Sequence, residues 1–171
     1  MKLLDVMISQ IGVQEDAAHT NHGEAVKYQI AAGLPKGGGF PWCQSLVYWS
    51  GLQAYGADKN PVPKTGGVMD CWNKAKASPA LRTIRKGTPE YAAENIKPGY
   101  QFILSLGGGE GHTGIVESID VQTGNLHTIE GNSNTNGSRD GYEVCRQSKR
   151  HMTDVALIGF VCYEDDLQTL A

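Results

Sequence analysis

Lys97-Pro98-Gly99-Tyr100-Gln101-Phe102-Ile103-Leu104-Ser105-Leu106 is where the chain changes character. Proline and glycine interrupt whatever precedes them, and a short apolar, β-prone run follows, of the kind that forms a buried strand. Extended patterns then return over residues 112–119, 126–130, 142–146 and 157–163. Upstream the periodicity is helical. Leu3, Leu4, Met7, Ile8 and Ile11 share one face of a helix over residues 2–11, which Gly12 ends. A second helix is expected over residues 24–32 before Gly33 and Pro35, a third over 42–55 before Gly56, and a fourth over 67–77. Residues 79–87 read as irregular or weakly β, and Thr88-Pro89-Glu90 as the start of a short helical turn. Helices first and strands second argue an α+β domain, with N-terminal helices packed on an antiparallel β-sheet, and against an alternating βαβ fold.

The 171 residues suit a single domain spanning 1–171. With 40% hydrophobic residues, 19% charged residues and a net charge of −3, the chain is neither disordered nor a strongly basic nucleic-acid binder. No window approaches the run of about 20 apolar residues that a membrane span requires. Asp5 and Gln10 interrupt the N-terminal stretch, so no signal peptide is expected there. The cysteines, Cys43, Cys71, Cys145 and Cys162, form no C-x-x-C pair, which argues against structural zinc. Cys145 and Cys162 fall on two strands expected to be neighbours, so a disulfide between them and a reduced pair both stay open.

Chemistry concentrates around Gly38-Gly39-Phe40-Pro41-Trp42-Cys43. Cys43 opens the third helix, where unpaired backbone N–H groups and the helix dipole favour a thiolate. An arbitrary cysteine is more often a small buried hydrophobe. What raises Cys43 above that reading is the pair of segments Gly111-His112-Thr113-Gly114 and Thr128-Ile129-Glu130-Gly131-Asn132, joined by a turn-rich stretch. A hairpin centred on Gln122 sets Gly114 opposite Glu130 and His112 opposite Asn132. Period-two alternation then puts His112, Glu130 and Asn132 on one face, expected to be the face the cysteine helix covers. In that arrangement His112 takes the thiol proton and returns it to a leaving amine, while Glu130 or Asn132 orients the imidazole.

These segments, with Ile11-Gly12-Val13-Gln14-Glu15, Asn21-His22-Gly23 and Gly137-Ser138-Arg139-Asp140-Gly141-Tyr142, resemble the CHAP family of cysteine, histidine-dependent amidohydrolases and peptidases that cut bacterial peptidoglycan. The likeness is greatest to compact single-domain lysins of phages and prophages. It implies a papain-like fold, Cys43 as nucleophile, His112 as base, Glu130 as its orienting partner and Asn132 as a fourth polar member. It also implies peptidoglycan as the partner, with the protein made in the cytoplasm and reaching the wall after release by a holin or another export route. A monomer is expected. Some members bind calcium through acidic residues before the nucleophile. Lys36-Gly37-Gly38-Gly39-Phe40-Pro41 has no carboxylate, so neither metal nor other cofactor is expected. Tyr100 stands where the family often has an Asp.

For substrate binding the expected residues are Trp42, as an aromatic groove wall, and Gly39, whose lack of a side chain allows close backbone approach. Phe40 is a further aromatic near the site, while Trp49 and Cys71 read as core. Arg139, Arg146, Lys149 and Arg150 form a basic cluster, read as a solvated hairpin in preference to a site for an anionic wall polymer. The function these readings favour is hydrolysis of a peptidoglycan amide through a thioester, at either the N-acetylmuramoyl-L-alanine bond or a stem-peptide or cross-bridge bond. The alternatives are a cell-wall-binding module that keeps the fold without the chemistry, and a secreted interbacterial amidase toxin.

Overall fold

Apolar spacing in the first half and β-branched and aromatic runs in the second produce the segregated architecture expected of an α+β protein. The structure is a computed structural model that describes residues 2–136 and 141–163. Four α-helices come first, α1 Leu3–Ser9, α2 Val26–Ala31, α3 Cys43–Tyr55 and α4 Val68–Ala77. Strands β1 Arg82–Arg85, β2 Gln101–Gly107, β3 Glu110–Ile119, β4 Asn125–Ser133, β5 Glu143–His151 and β6 Leu157–Cys162 follow. They form one six-stranded sheet in the order β1-β6-β2-β3-β4-β5, with every neighbouring pair antiparallel.

Register gives the sheet two distinct faces. Ile84, Phe160, Phe102, Gly114, Glu130 and Cys145 stand opposite one another in a row across all six strands and therefore share a face. Residues one position along, Ile103, Ile115, Ile129 and Val161, point the other way and pack under Leu46 and Val47 of α3 and Trp72 of α4. The first face is covered by the connection before β2, through Ile96 and Tyr100, and by Met152. Tyr100 is fully buried there, and its hydroxyl accepts a hydrogen bond from Arg82 at 3.3 Å.

Several expectations change. α1 stops at Ser9, because the Gln10 N–H turns back to the Met7 carbonyl at 3.1 Å, and Gly12 follows at a φ of 89°. Thr88-Pro89-Glu90 is a turn with its Thr88 hydroxyl on the Arg85 carbonyl, and the 3₁₀ segment comes later, at Ala93–Asn95. Cys145 and Cys162 are not neighbours, since three strands separate β5 from β6. All four cysteines are free and buried.

Candidate active site

The site is built where the start of α3 meets β3 and β4. Trp42 is the residue before the helix, and Cys43 is its first residue, 4% exposed. The β3–β4 ladder pairs Gly114 with Glu130, as a turn around Gln122 requires. A register shift between Val116 and Ser118 then slides the rest of the hairpin by one residue. His112 lies beyond the paired stretch on β3 and stands opposite Leu104 of β2.

Glu130 is fully buried, and its carboxylate accepts from almost every direction. The His112 Nε2 lies 2.7 Å from its Oε2, and the Thr128 hydroxyl donates to Oε1 at 2.7 Å. Arg150 of β5 clamps both oxygens, with Nε donating to Oε1 at 2.9 Å and a terminal nitrogen donating to Oε2 at 2.7 Å. Burial works against the charge on Glu130, but Arg150 and His112 outweigh it and hold the carboxyl well below the usual carboxylate range. Gly114 makes the room, since a Cβ there would come within 2.9 Å of the Glu130 Cγ.

Glu130 engages His112 at Nε2, so Nδ1 is the ring nitrogen available on the side of the cleft that His112 shares with Cys43. Burial disfavours the imidazolium, yet the Cys43 and Glu130 contacts overcome it and the His112 pKa is pushed up to about 9. Asn132 sits where β4 loses its regular pairing, at a φ of 52°, and borders the cleft beside Cys43 and His112. Its Oδ1 is buried without a hydrogen-bond partner among the described residues, so the imidazole is oriented by Glu130 and not by Asn132.

Three expectations about this site are corrected. His112 and Glu130 do share a face, but it is the face of Phe102 and Phe160, opposite the one α3 covers. Cys43, the first residue of α3, shares a cleft with His112. Trp42 does not wall a groove: it is fully buried, stacks on Tyr28 with ring centroids 5.6 Å apart, and donates its indole N–H to Glu15 at 2.6 Å. Gly39, at a φ of 60°, packs against the loop at Thr20 and His22, and its carbonyl accepts from Asn21 at 3.1 Å. Phe40 and Pro41 line the cleft in place of Trp42. Of the basic cluster, Arg139 lies outside the described residues, as does most of 137–142. Arg146 pairs with Glu117 at the surface.

Arg150 is the site residue that sequence reasoning missed. An arginine in a strand reads as solvated; here the ladder sets Arg150 opposite Leu126, and its long side chain reaches from there to the Glu130 carboxylate. Glu15, part of the motif Ile11-Gly12-Val13-Gln14-Glu15, receives both the Trp42 indole and the Asn21 backbone N–H, fixing the turn that leads into Cys43.

An α+β fold in which a helix-terminal cysteine meets a strand histidine backed by a carboxylate defines a cysteine–histidine centre. The family model described as the CHAP domain matches residues 35–132, which contain Cys43, His112, Glu130 and Asn132, and the chain belongs to the CHAP domain family. A solved structure, that of the wild-type endolysin LysIME-EF1, resembles it with a TM-score of 0.57 and 20% identity over 96% of this chain. The chain spans 66% of that chain's length. No curated protein matches. None of the helices among the described residues is long and apolar enough to cross a membrane.

Proposed function

We propose that the protein is a peptidoglycan hydrolase that cleaves an amide bond with Cys43 as nucleophile. The observation that carries this reading is the His112 imidazole bonded to a carboxylate kept ionised by Arg150, in a cleft that His112 shares with Cys43. Membership of the CHAP family and the likeness to an endolysin support peptidoglycan as the substrate.

In this reading the Cys43 thiolate attacks the amide carbonyl carbon, and the imidazolium of His112 gives its Nδ1 proton to the departing nitrogen. The C–N bond breaks and a thioester remains on Cys43. Water then adds to the thioester while neutral His112 accepts its proton; the acid departs and the pair is restored. Glu130 keeps Nε2 occupied, so the ring presents Nδ1 throughout. The backbone N–H of Cys43, in the first turn of α3, is placed to receive the developing oxyanion. Asn132 is the fourth polar group beside the reacting atoms.

Purified cell walls digested with the protein and with its Cys43→Ala variant, and resolved by mass spectrometry, test the proposal. New amine and carboxyl ends with the parent alone are the expected result, and their masses tell the N-acetylmuramoyl-L-alanine bond from a stem-peptide or cross-bridge bond. Equal release by both proteins removes Cys43 as nucleophile, and release by neither removes the hydrolase reading.

A further inference from the structure

Two cavities that share Pro41, Cys43, Leu106 and Gly111 meet at Cys43. The larger, about 430 Å³, is otherwise walled by Leu34, Phe40 and Val68 and carries Glu110 as its charged residue. The smaller, about 290 Å³, is walled by His112, Asn132 and Asn134 and carries Lys149 and Arg150.

The chemistry of amide cleavage, on the hydrolase reading above, assigns one cavity to each half of the substrate. The departing nitrogen must receive a proton from His112, and His112 lines only the smaller cavity. The leaving amine and whatever it is attached to therefore extend into the polar cavity. The acyl half, on the other side of the carbonyl, occupies the apolar one. Arg150 is committed to both oxygens of Glu130 and is not available to a ligand. Lys149 is exposed, borders the same cavity and has no ion-pair or hydrogen-bond partner among the described residues. At the far end, Glu110 places a negative charge beside the acyl cavity.

We infer that Lys149 selects substrates whose leaving amine bears a carboxylate, and that Glu110 turns away acyl halves that bear one. The two charges thereby set the direction in which a peptide lies across Cys43 and the class of bond presented: an uncharged, apolar acyl group joined to an acidic amino component. An exposed lysine acting on a ligand carboxylate is a screened interaction of modest size, so it sorts substrates without being needed for the chemistry.

Calorimetric titration of the Cys43→Ala protein tests this without turnover. The probes are two alanyl peptides that differ only in having a free carboxylate or its carboxamide on the residue after the alanyl amide. The carboxylate peptide is expected to bind about fivefold tighter in dilute buffer, near the upper range for an exposed ion pair, with the gap closing in high salt. Adding Lys149→Ala abolishes the gap and Lys149→Arg keeps it. Equal affinities, binding of neither peptide, or a gap that survives Lys149→Ala overturns the inference. With Cys43 intact, the same preference should appear in kcat/KM. A Lys149-dependent binding gap with no cleavage supports the carboxylate subsite while removing the hydrolase reading, so the two fail separately.

Discussion

Glu130 sits at 0% exposure with a negative charge, a state that is stable only because Arg150, His112 and Thr128 all donate to it. Removing one partner of such a pair is costly, because the other charge remains. Arg150→Ala should lower stability by about 3 kcal/mol, read as a shift in urea midpoint. It should also weaken the hold on His112. The raised His112 pKa has a sign that can be worked out. On the proposed mechanism the imidazolium is the acid that protonates the leaving amine, and it persists up to about pH 9. Hydrolysis should therefore decline as pH rises through about 9, and Glu130→Gln, which removes a contact that raises the pKa, should move that decline to lower pH. The stabilising contribution of the same group is complete below pH 6.5 and disappears as pH passes about 9. Among the cysteines, burial pushes Cys71 up to about 12 and raises Cys145, whereas Cys43 opens on both cavities. Iodoacetamide should modify Cys43 first at neutral pH, as peptide mapping would reveal; faster labelling of Cys71 would remove the nucleophile assignment.

At the scale of elements, the site depends on how closely α3 lies on β4. Gly131, next to Glu130, faces the helix, and a Cβ there would stand 2.6 Å from the Leu46 side chain and 2.7 Å from the Trp42 ring. Neither neighbour is an easily displaced chain end, because both belong to the packed core. Gly131→Ala should therefore push the start of α3 away from the sheet. The expected result is a loss of about 1–3 kcal/mol in stability, with a larger fractional loss of hydrolysis than of folded protein, measured on samples matched by circular dichroism. A variant with parent activity would show that the helix start has slack. The Glu15 contact to the Trp42 indole acts on the same joint from the other side, holding the turn before Cys43.

Across the whole molecule, a buried polar network ties the two halves together. The Gln101 amide of β2 donates to Gln44 of α3 at 2.6 Å and to Thr113 of β3 at 2.8 Å, and its oxygen accepts from Tyr163. The Cys71 thiol of α4 approaches the same oxygen at 3.7 Å. One side chain thus joins two helices, two strands and the segment after β6, through the residue that follows Cys43. Gln101→Ala would leave several of these groups without partners in a dry interior. It should cost about 2–3 kcal/mol in chemical denaturation while leaving the alkaline limit of activity in place, since His112 keeps its own contacts.

What the sequence determined by itself is local: which segments are helix or strand, that Cys43 begins a helix, and that a turn near Gln122 pairs Gly114 with Glu130. Those follow from periodicity, breakers and turn chemistry, which act over a few residues. The family likeness, too, rested on short motifs. Tertiary structure alone decided the rest. Strand order separated Cys145 from Cys162, the sheet face away from α3 received His112 and Glu130, and β5 delivered Arg150 from 20 residues away in sequence. Trp42, aromatic and next to Cys43, was drawn inward because burying its rings against Tyr28 and satisfying its N–H on Glu15 is favourable only when those distant groups are assembled around it. Side chains choose between solvent and core by what the rest of the chain brings to them, and that choice is not written in their neighbours along the sequence.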